Sequence, residues 1–184
     1  MDTQPPFLTV LSKLAPGVLQ LAVWNACMSR NWYFGNQSVA AHAAVPFWKM
    51  NLVNVAAADQ LWDVSRPVCE SATHRTLKVV RQYANGHTYG QGGQPHRDDS
   101  REGTFTLLYY PMLEWQPEWE GETLFFDDRR QIIRSITPVP NSAILFDSRT
   151  LHAGRAPSRS YSGLRVTVAF KLESTELADT AGVV

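Results

Sequence analysis

The sequence predicts an α+β domain in which N-terminal helices support a β-sandwich or jelly roll. Before residue 75, apolar residues recur at helical spacing. After residue 75, the pattern changes to short runs of β-branched and aromatic residues, separated by Gly, Pro, Asp or Asn. Helices followed by many short strands are typical of a domain with this kind of core.

Residues 1–75 are interpreted as a helical support region. Pro16 and the segment around Pro46 separate its helices, and Pro67 is expected to end or kink the last one. Three segments carry the helical spacing: 7–14, 17–29 and 52–65. Four aromatic residues are expected to pack these helices against the sheet: Trp32, Phe34, Phe47 and Trp48.

Residues 76–172 are interpreted as the β core, and residues 173–184 as a flexible tail. With 184 residues, the chain has the size of a single domain. Six strands are predicted: 77–84, 104–110, 122–126, 131–136, 142–147 and 165–172.

Composition narrows the function classes. Lys plus Arg and Asp plus Glu both number 17, so no net charge attracts the chain to nucleic acid or an anionic membrane. Cys27 and Cys69 are too few for a disulfide scaffold and are expected to be buried thiols in a reducing compartment. Neither a secretory signal nor a transmembrane stretch is recognisable. We therefore expect a soluble, cytoplasmic protein.

Three side chains could bind a metal. His96 and Asp98 are two positions apart, so on an extended backbone they point to the same face. His152 follows the predicted strand 142–147. Two imidazoles and one carboxylate leave open metal positions, as in non-haem Fe(II) oxygenases, whereas zinc sites more often have additional Cys or His ligands. The alternative is that all three are surface loop residues without a metal.

A further signal is an arginine in an apolar strand. Arg165 begins the strand 165–172 and shares a face with Thr167. A guanidinium and a hydroxyl that point together are suited to a carboxylate. Because a buried unpaired arginine is costly, Arg165 would need an anion. Alternatively, it lies at the mouth of the strand and reaches water.

These motifs resemble those of the Fe(II)/2-oxoglutarate-dependent oxygenases, in the prolyl-4-hydroxylase-like branch. The resemblance covers roughly residues 75–172. The matching segments follow the family's order: 81–99, 104–110, 119–126, 139–157 and 165–172. The resemblance implies a double-stranded β-helix, which is a jelly-roll or cupin-like core, with N-terminal supporting helices.

The resemblance also implies a role for each motif residue. It makes His96, Asp98 and His152 the iron ligands. Arg165 would pair with the distal carboxylate of 2-oxoglutarate, and Thr167 would complete an Arg-x-Ser/Thr pattern. Many prolyl hydroxylases have lysine at the position of the arginine, so this chain departs in residue type but keeps the charge.

Three further residues are implied to contact the co-substrate. Tyr83 matches a strand tyrosine that hydrogen-bonds it, although a GQGG insertion lengthens the following loop. Leu108 and Tyr110 match positions that line its pocket. Gly121 and Glu122 match a strand entry that we interpret as structural.

The implied reaction is hydroxylation of an unactivated C–H bond, coupled to conversion of 2-oxoglutarate and O2 to succinate and CO2. Fe(II) is the implied metal, and ascorbate is expected to support activity. Related halogenases have a small residue in place of Asp98, so hydroxylation is favoured over halogenation. Desaturation, ring closure and N-oxidation remain open.

A compact chain without a recognition domain or basic groove favours a small-molecule substrate, either an amino acid or a natural-product intermediate. The alternatives are a peptidyl or protein prolyl-type hydroxylase and a non-catalytic binding module. Nucleic acid and membrane partners are not expected, and the oligomeric state stays open. Four residues are candidate substrate contacts: His87, Trp115, Arg155 and Arg159. Their alternative roles are a loop contact for the histidine, loop packing for the tryptophan and solvated side chains for the arginines.

Overall fold

The computed structural model describes residues 7–29, 31–38 and 45–175. Within these residues, two helices are α1 (Gly17–Cys27) and α2 (Ala56–Thr73). The first five strands are β1 (Leu8–Leu11), β2 (Trp32–Asn36), β3 (Phe47–Asn51), β4 (Thr76–His87) and β5 (Thr104–Tyr109). The next five are β6 (Thr123–Phe126), β7 (Ile132–Ile136), β8 (Ala143–Asp147), β9 (Leu151–Gly154) and β10 (Arg165–Thr175).

The strands form two antiparallel sheets that pack face to face. The major sheet has the order β1-β8-β5-β10-β4-β3-β2, and the minor sheet has the order β7-β6-β9. Phe125 of the minor sheet packs edge-on against Phe146 of the major sheet, with ring centroids 5.1 Å apart. On the opposite face, Trp62 of α2 packs on Phe170 of β10. The predicted α+β jelly-roll class is therefore confirmed.

The prediction of a purely helical region before residue 75 is wrong at three strands. Segment 7–14 contains β1, which pairs with β8 through its extended LTVL run. Strands β2 and β3 form an antiparallel pair that adds to the edge of the major sheet. Their aromatic residues are therefore sheet residues, with Phe47 buried and Phe34 about half exposed. Pairing with an existing sheet edge outweighs the weak helical pattern of these short segments.

The sequence predicted that Pro67 would end or kink the last helix, and Pro67 does not end it. Helix α2 continues through Pro67 to Thr73 and stops at His74, whose φ of 54° is left-handed. Pro67 lies on the exposed side of the helix. The carbonyl that loses its hydrogen-bond donor can therefore be hydrated, which reduces the cost of the proline.

The predicted β core is close to the observed one, with two differences. Strand β9 was not predicted, because four residues after a turn carry little periodic signal. Strand β10 continues to Thr175, so residues 173–175 are not part of a tail. The remainder of the predicted tail, 176–184, lies outside the described residues.

Candidate metal centre and anion pocket

Backbone pairing brings the two histidines together across 56 positions of sequence. The N–H of His96 donates to the carbonyl of His152, and the N–H of His152 donates to the carbonyl of His96, both at 2.9 Å. This reciprocal pair places the ring centroids 4.5 Å apart. The N–H of Asp98 donates to the carbonyl of Ser148 at 2.9 Å, which places the carboxylate beside both rings.

The side chains of His96, Asp98 and His152 converge on one point. One potential ligand atom from each lies within 4.8 Å of the others. The Nε2 atoms of His96 and His152 are 3.4 Å and 3.5 Å from Oδ1 and Oδ2 of Asp98, respectively. A donor set of two imidazoles and one carboxylate fits Fe(II) with open positions.

Hydrogen bonds fix the tautomer of both rings. Nδ1 of His96 lies 2.9 Å from the carbonyl of Gln94, and Nδ1 of His152 lies 2.9 Å from the carbonyl of Thr150. A carbonyl only accepts, so each Nδ1 carries the proton and donates it. The lone pair of each Nε2 then points toward the carboxylate, as a metal ligand requires.

The electrostatics favour the protonation states that bind a metal. Burial would raise the pKa of Asp98, but the positive charge of Lys171, the largest of the opposing causes, holds it well below its usual range. Burial lowers the pKa of His152 to about 4. At neutral pH the carboxyl is therefore ionised and this imidazole is neutral, so neither must lose a proton before it binds a metal.

Two residues that the sequence analysis missed hold the carboxylate. Lys171 forms a buried ion pair with Oδ2 of Asp98, and the hydroxyl of Thr106 donates to the same oxygen at 2.7 Å. Lys171 shares the face of Arg165 on β10, so strand alternation carried a signal for it. Its partner comes from a distant loop, which the pattern of a single strand cannot show.

Arg165 is buried without a carboxylate partner among the residues that the structure describes. Its side chain is 1% exposed. Nε donates to the carbonyl of Gly121 at 2.5 Å, and Nη2 donates to the hydroxyl of Thr123 at 3.2 Å. The ring of Tyr110 lies 5.8 Å from Cζ. These direct contacts are neutral, and the charge of Glu122 acts on Arg165 without forming an ion pair, so the pocket is suited to an anion.

One cavity connects the triad with Arg165. Tyr83, Leu108 and Thr167 line it, as expected for residues that contact the co-substrate. Tyr110 lies behind this wall, where its hydroxyl pairs with Thr123 at 2.6 Å beneath Arg165.

His87 lies at the Arg165 end of this cavity. Its Nδ1 is 3.5 Å from Nη1 of Arg165, and its Nε2 is buried without a partner in the described structure. Burial, followed by the charge of Arg165, lowers the pKa of His87 to about 3. A neutral imidazole here can donate one hydrogen bond, from Nε2, to an anion held by Arg165.

The other three candidate substrate residues lie away from the triad. Trp115 packs against Trp119 and Tyr161, with centroids 5.5 Å and 4.8 Å away, so it has the alternative role of loop packing. Arg155 and Arg159 line an outer groove of about 520 Å³ that shares Gly93 with the cavity.

This outer groove opens at the Arg165 end. A Cβ on Gly154, the residue before Arg155, would lie 3.6 Å from Nη1 of Arg165.

Comparison with known proteins identifies the family. The model of the 2OG-Fe(II) oxygenase superfamily matches residues 80–170. A search of curated proteins found no match.

No helix in the described parts of the chain combines the length and the apolar character needed to cross a membrane.

Three solved structures show the same fold. A Pseudomonas putida prolyl-4-hydroxylase has 14% identity and a TM-score of 0.69, covering 93% of this chain and 94% of that one. A Trichoplax adhaerens prolyl hydroxylase, solved with a hypoxia-inducible-factor peptide, has 14% identity and a TM-score of 0.67, covering 91% and 83%. The α-ketoglutarate-dependent epimerase SnoN from nogalamycin biosynthesis has 9% identity and a TM-score of 0.72, covering 97% and 87%.

A jelly-roll core with two histidines and one carboxylate defines the class of non-haem iron enzymes. The chain belongs to the 2OG-Fe(II) oxygenase superfamily, with prolyl-4-hydroxylase-like structural neighbours. It is a 2-oxoglutarate-dependent dioxygenase, and its cofactor chemistry is that of Fe(II), 2-oxoglutarate and O2.

Proposed function

We propose that the protein hydroxylates an unactivated C–H bond of a small molecule, either an amino acid or a natural-product intermediate. One observation supports this most strongly. A convergent His96, Asp98 and His152 set and the unpaired Arg165 lie on the same cavity. A binding module without catalysis would have no use for both features together.

In this proposal, His96, Asp98 and His152 hold Fe(II), and Arg165 holds the distal carboxylate of 2-oxoglutarate. Bound iron supplies oxidation of the substrate by O2, coupled to decarboxylation of 2-oxoglutarate to succinate and CO2. Thr167 and Tyr83 line the wall of the same cavity and can hydrogen-bond the co-substrate.

Other side chains keep the ligands in place. Lys171 and Thr106 both contact Oδ2 of Asp98, which leaves Oδ1 facing His96. The carboxylate is thereby oriented for binding through one oxygen. Because Asp98 occupies the position where related halogenases have a small residue, we favour hydroxylation over halogenation.

A peptidyl or protein prolyl-type hydroxylase is the second candidate. It is supported by the fold shared with two prolyl hydroxylases, one of which was solved with a peptide. The small-molecule proposal is supported by the fold shared with SnoN. The buried free thiols of Cys27 and Cys69 are in keeping with a cytoplasmic location, which we also propose.

An anaerobic titration with Fe(II) and 2-oxoglutarate tests the cofactor assignment. We expect a visible metal-to-ligand charge-transfer band that requires both additions. His96→Ala should lose the band, whereas Arg155→Gln in the outer groove should keep it. Folded wild-type protein that takes up iron and gives no band would contradict the proposal. A positive result justifies screening amino acids and prolyl peptides for substrate-dependent succinate release.

A further inference from the structure

The inner face of the major sheet has a positive charge at each end of the cavity. On β10, Arg165, Thr167, Ala169 and Lys171 alternate onto this face, and all four line the cavity. Six residues of strand separate Arg165 from Lys171 by about 20 Å. Lys171 pairs with Asp98 of the triad, so the triad lies at the Lys171 end.

Three cations surround Tyr83 at this second end. Nζ of Lys49 lies 4.6 Å from the centre of the Tyr83 ring, Cζ of Arg81 lies 6.0 Å away and Nζ of Lys171 lies 5.9 Å away. Lys49 is two residues after Phe47 on β3, and Phe47 lines the cavity, so both face inward. We call Lys49, Arg81 and Lys171 the mouth cluster.

The mouth cluster has too little negative charge around it. Among the described residues, Lys49 and Arg81 form no ion pair, and Asp98 is the single ion-pair partner of Lys171. Burial, then the charges of Arg81 and Lys171, lowers the pKa of Lys49. The positive charges of the mouth cluster repel one another, and an anion between them would relieve this repulsion.

Binding of the cofactors would leave the excess positive charge of the mouth cluster in place. With the proposed Fe(II) and 2-oxoglutarate bound, the charges of Asp98 and the dianionic co-substrate balance those of the iron and Arg165. The carboxylate of Asp98 would then contact both Lys171 and the metal. The three charges of the mouth cluster would still face the side of the triad opposite the Arg165 end.

A second opening reaches the triad from this side. Asp98 and Lys171 line both the cavity and an adjoining pocket of about 270 Å³. Arg81 also lines this pocket, as does Arg101, which is paired with Asp99 and Glu173. In contrast, Arg155 and Arg159 line neither of these two pockets but the outer groove, which shares Gly93 with the cavity.

We propose that the mouth cluster recognises an anionic group, a carboxylate or a phosphate, on the substrate. This inference rests on the proposed function and specifies its substrate class. The anion is held between Lys49, Arg81 and Lys171, which places the rest of the substrate beside the triad. Arg155 and Arg159, which the sequence analysis suggested as substrate residues, are not required for this recognition.

Paramagnetic relaxation tests the proposal without the natural substrate. The protein is loaded with Co(II), which binds the same donor types, and saturated with 2-oxoglutarate to occupy Arg165. Inorganic phosphate is observed by ³¹P NMR, and trifluoroacetate and neutral trifluoroethanol are observed by ¹⁹F NMR. A Zn(II)-loaded sample provides the diamagnetic reference.

We expect saturable relaxation enhancement for at least one anion and none for trifluoroethanol. The anion that binds more tightly distinguishes phosphate from carboxylate. Lys49→Met and Arg81→Gln should each weaken anion binding about fivefold, as expected for one charge lost near the surface. The matched control Arg155→Gln should leave it unchanged.

The proposal is overturned if neither anion gives saturable enhancement, if trifluoroethanol is enhanced equally, or if Arg155→Gln weakens binding while Arg81→Gln does not. An anion that binds the metal directly would be insensitive to Lys49→Met and Arg81→Gln, which also overturns it. Failure of the proposed function would appear separately, as absence of the Fe(II) and 2-oxoglutarate charge-transfer band.

Discussion

Replacing Arg165 with methionine should stabilise the protein without ligands and greatly weaken its binding of 2-oxoglutarate. The guanidinium is buried, and its polar contacts are the carbonyl of Gly121 and the hydroxyl of Thr123. Replacing buried charges with apolar residues of similar volume is often stabilising by about 1–4 kcal/mol. Loss of the hydrogen bond to the carbonyl of Gly121 reduces this stabilisation by about 1 kcal/mol. We expect a net rise of about 0–3 kcal/mol in the free energy of unfolding.

At this chain length, that rise corresponds to an increase of up to roughly 12 °C in the Tm of the protein without ligands. Binding of 2-oxoglutarate should change in the opposite direction. Removing one partner of a buried charge pair costs about 3–5 kcal/mol, or roughly two to three and a half decades in Kd. Thermal unfolding and anaerobic isothermal titration measure the two effects. Arg165→Lys, which retains the charge, should recover part of the affinity, and exposed Arg159→Met should change neither quantity.

A lower Tm combined with unchanged 2-oxoglutarate affinity would refute this reasoning, because Arg165 would then be a structural residue whose charge is satisfied within the protein. If the affinity were lost and the Tm also fell, Arg165 would still bind the co-substrate. The assumption that its charge is uncompensated without ligand would then be wrong.

Three further predictions follow from the contacts of the site. Gly121→Ala should cost about 1–2 kcal/mol of stability because φ is +78°. Its Cβ, 2.9 Å from Cδ of Arg165, should also raise the KM for 2-oxoglutarate without changing iron affinity in a metal titration. His87 has a folded pKa of about 3 against an ordinary 6.5, so its contribution to stability is complete above pH 6.5 and lost as pH falls. His87→Gln should therefore reduce the loss of unfolding free energy between pH 7 and 5 by about 2 kcal/mol in urea titrations, and an unchanged loss would exclude His87 as its source. Asp98→Gly should weaken iron binding and abolish hydroxylation, and it should destabilise the protein because Lys171 loses its partner. Adding Lys171→Met should restore the Tm but not iron binding, whereas a restored iron affinity would show that Asp98 is not a ligand.

The β core and the triad could be predicted because their signals are local. All six predicted strands differ from the observed ones by at most a few residues at their ends. Their sequences are either continuously apolar, as in 142–147, or alternate between apolar and polar residues. His96 and Asp98 are close in sequence, and their spacing already places them on one face. His152 was a candidate from its place after the strand 142–147, but only the family resemblance implied that it is a ligand, because its position beside His96 depends on a bridge between distant segments.

The remaining features depend on contacts that the sequence does not contain. Residues 7–14 have spacing compatible with a helix, but the free edge of β8 pairs with them as β1. Trp115 could have covered a substrate, yet Trp119 and Tyr161 provide a closer apolar surface. In both cases the local sequence is compatible with two arrangements, and contacts with residues distant in sequence determine which of them forms.

On strand β10, alternate residues face the hydrophobic core and the cavity, so residues that stabilise the fold and residues that line the site share one strand. Its even positions, Val166, Val168, Phe170 and Leu172, are all buried in the hydrophobic core. Its odd positions carry the groups that face the cavity: Arg165, Thr167, Ala169 and Lys171. Charges stand at both ends of this inner row, and the small methyl group of Ala169 lies between them, leaving space beside the triad. A larger residue there would occupy this space while leaving both charges intact. The position of Ala169 therefore limits the size of the molecule that can reach the triad, and the end charges select its chemistry.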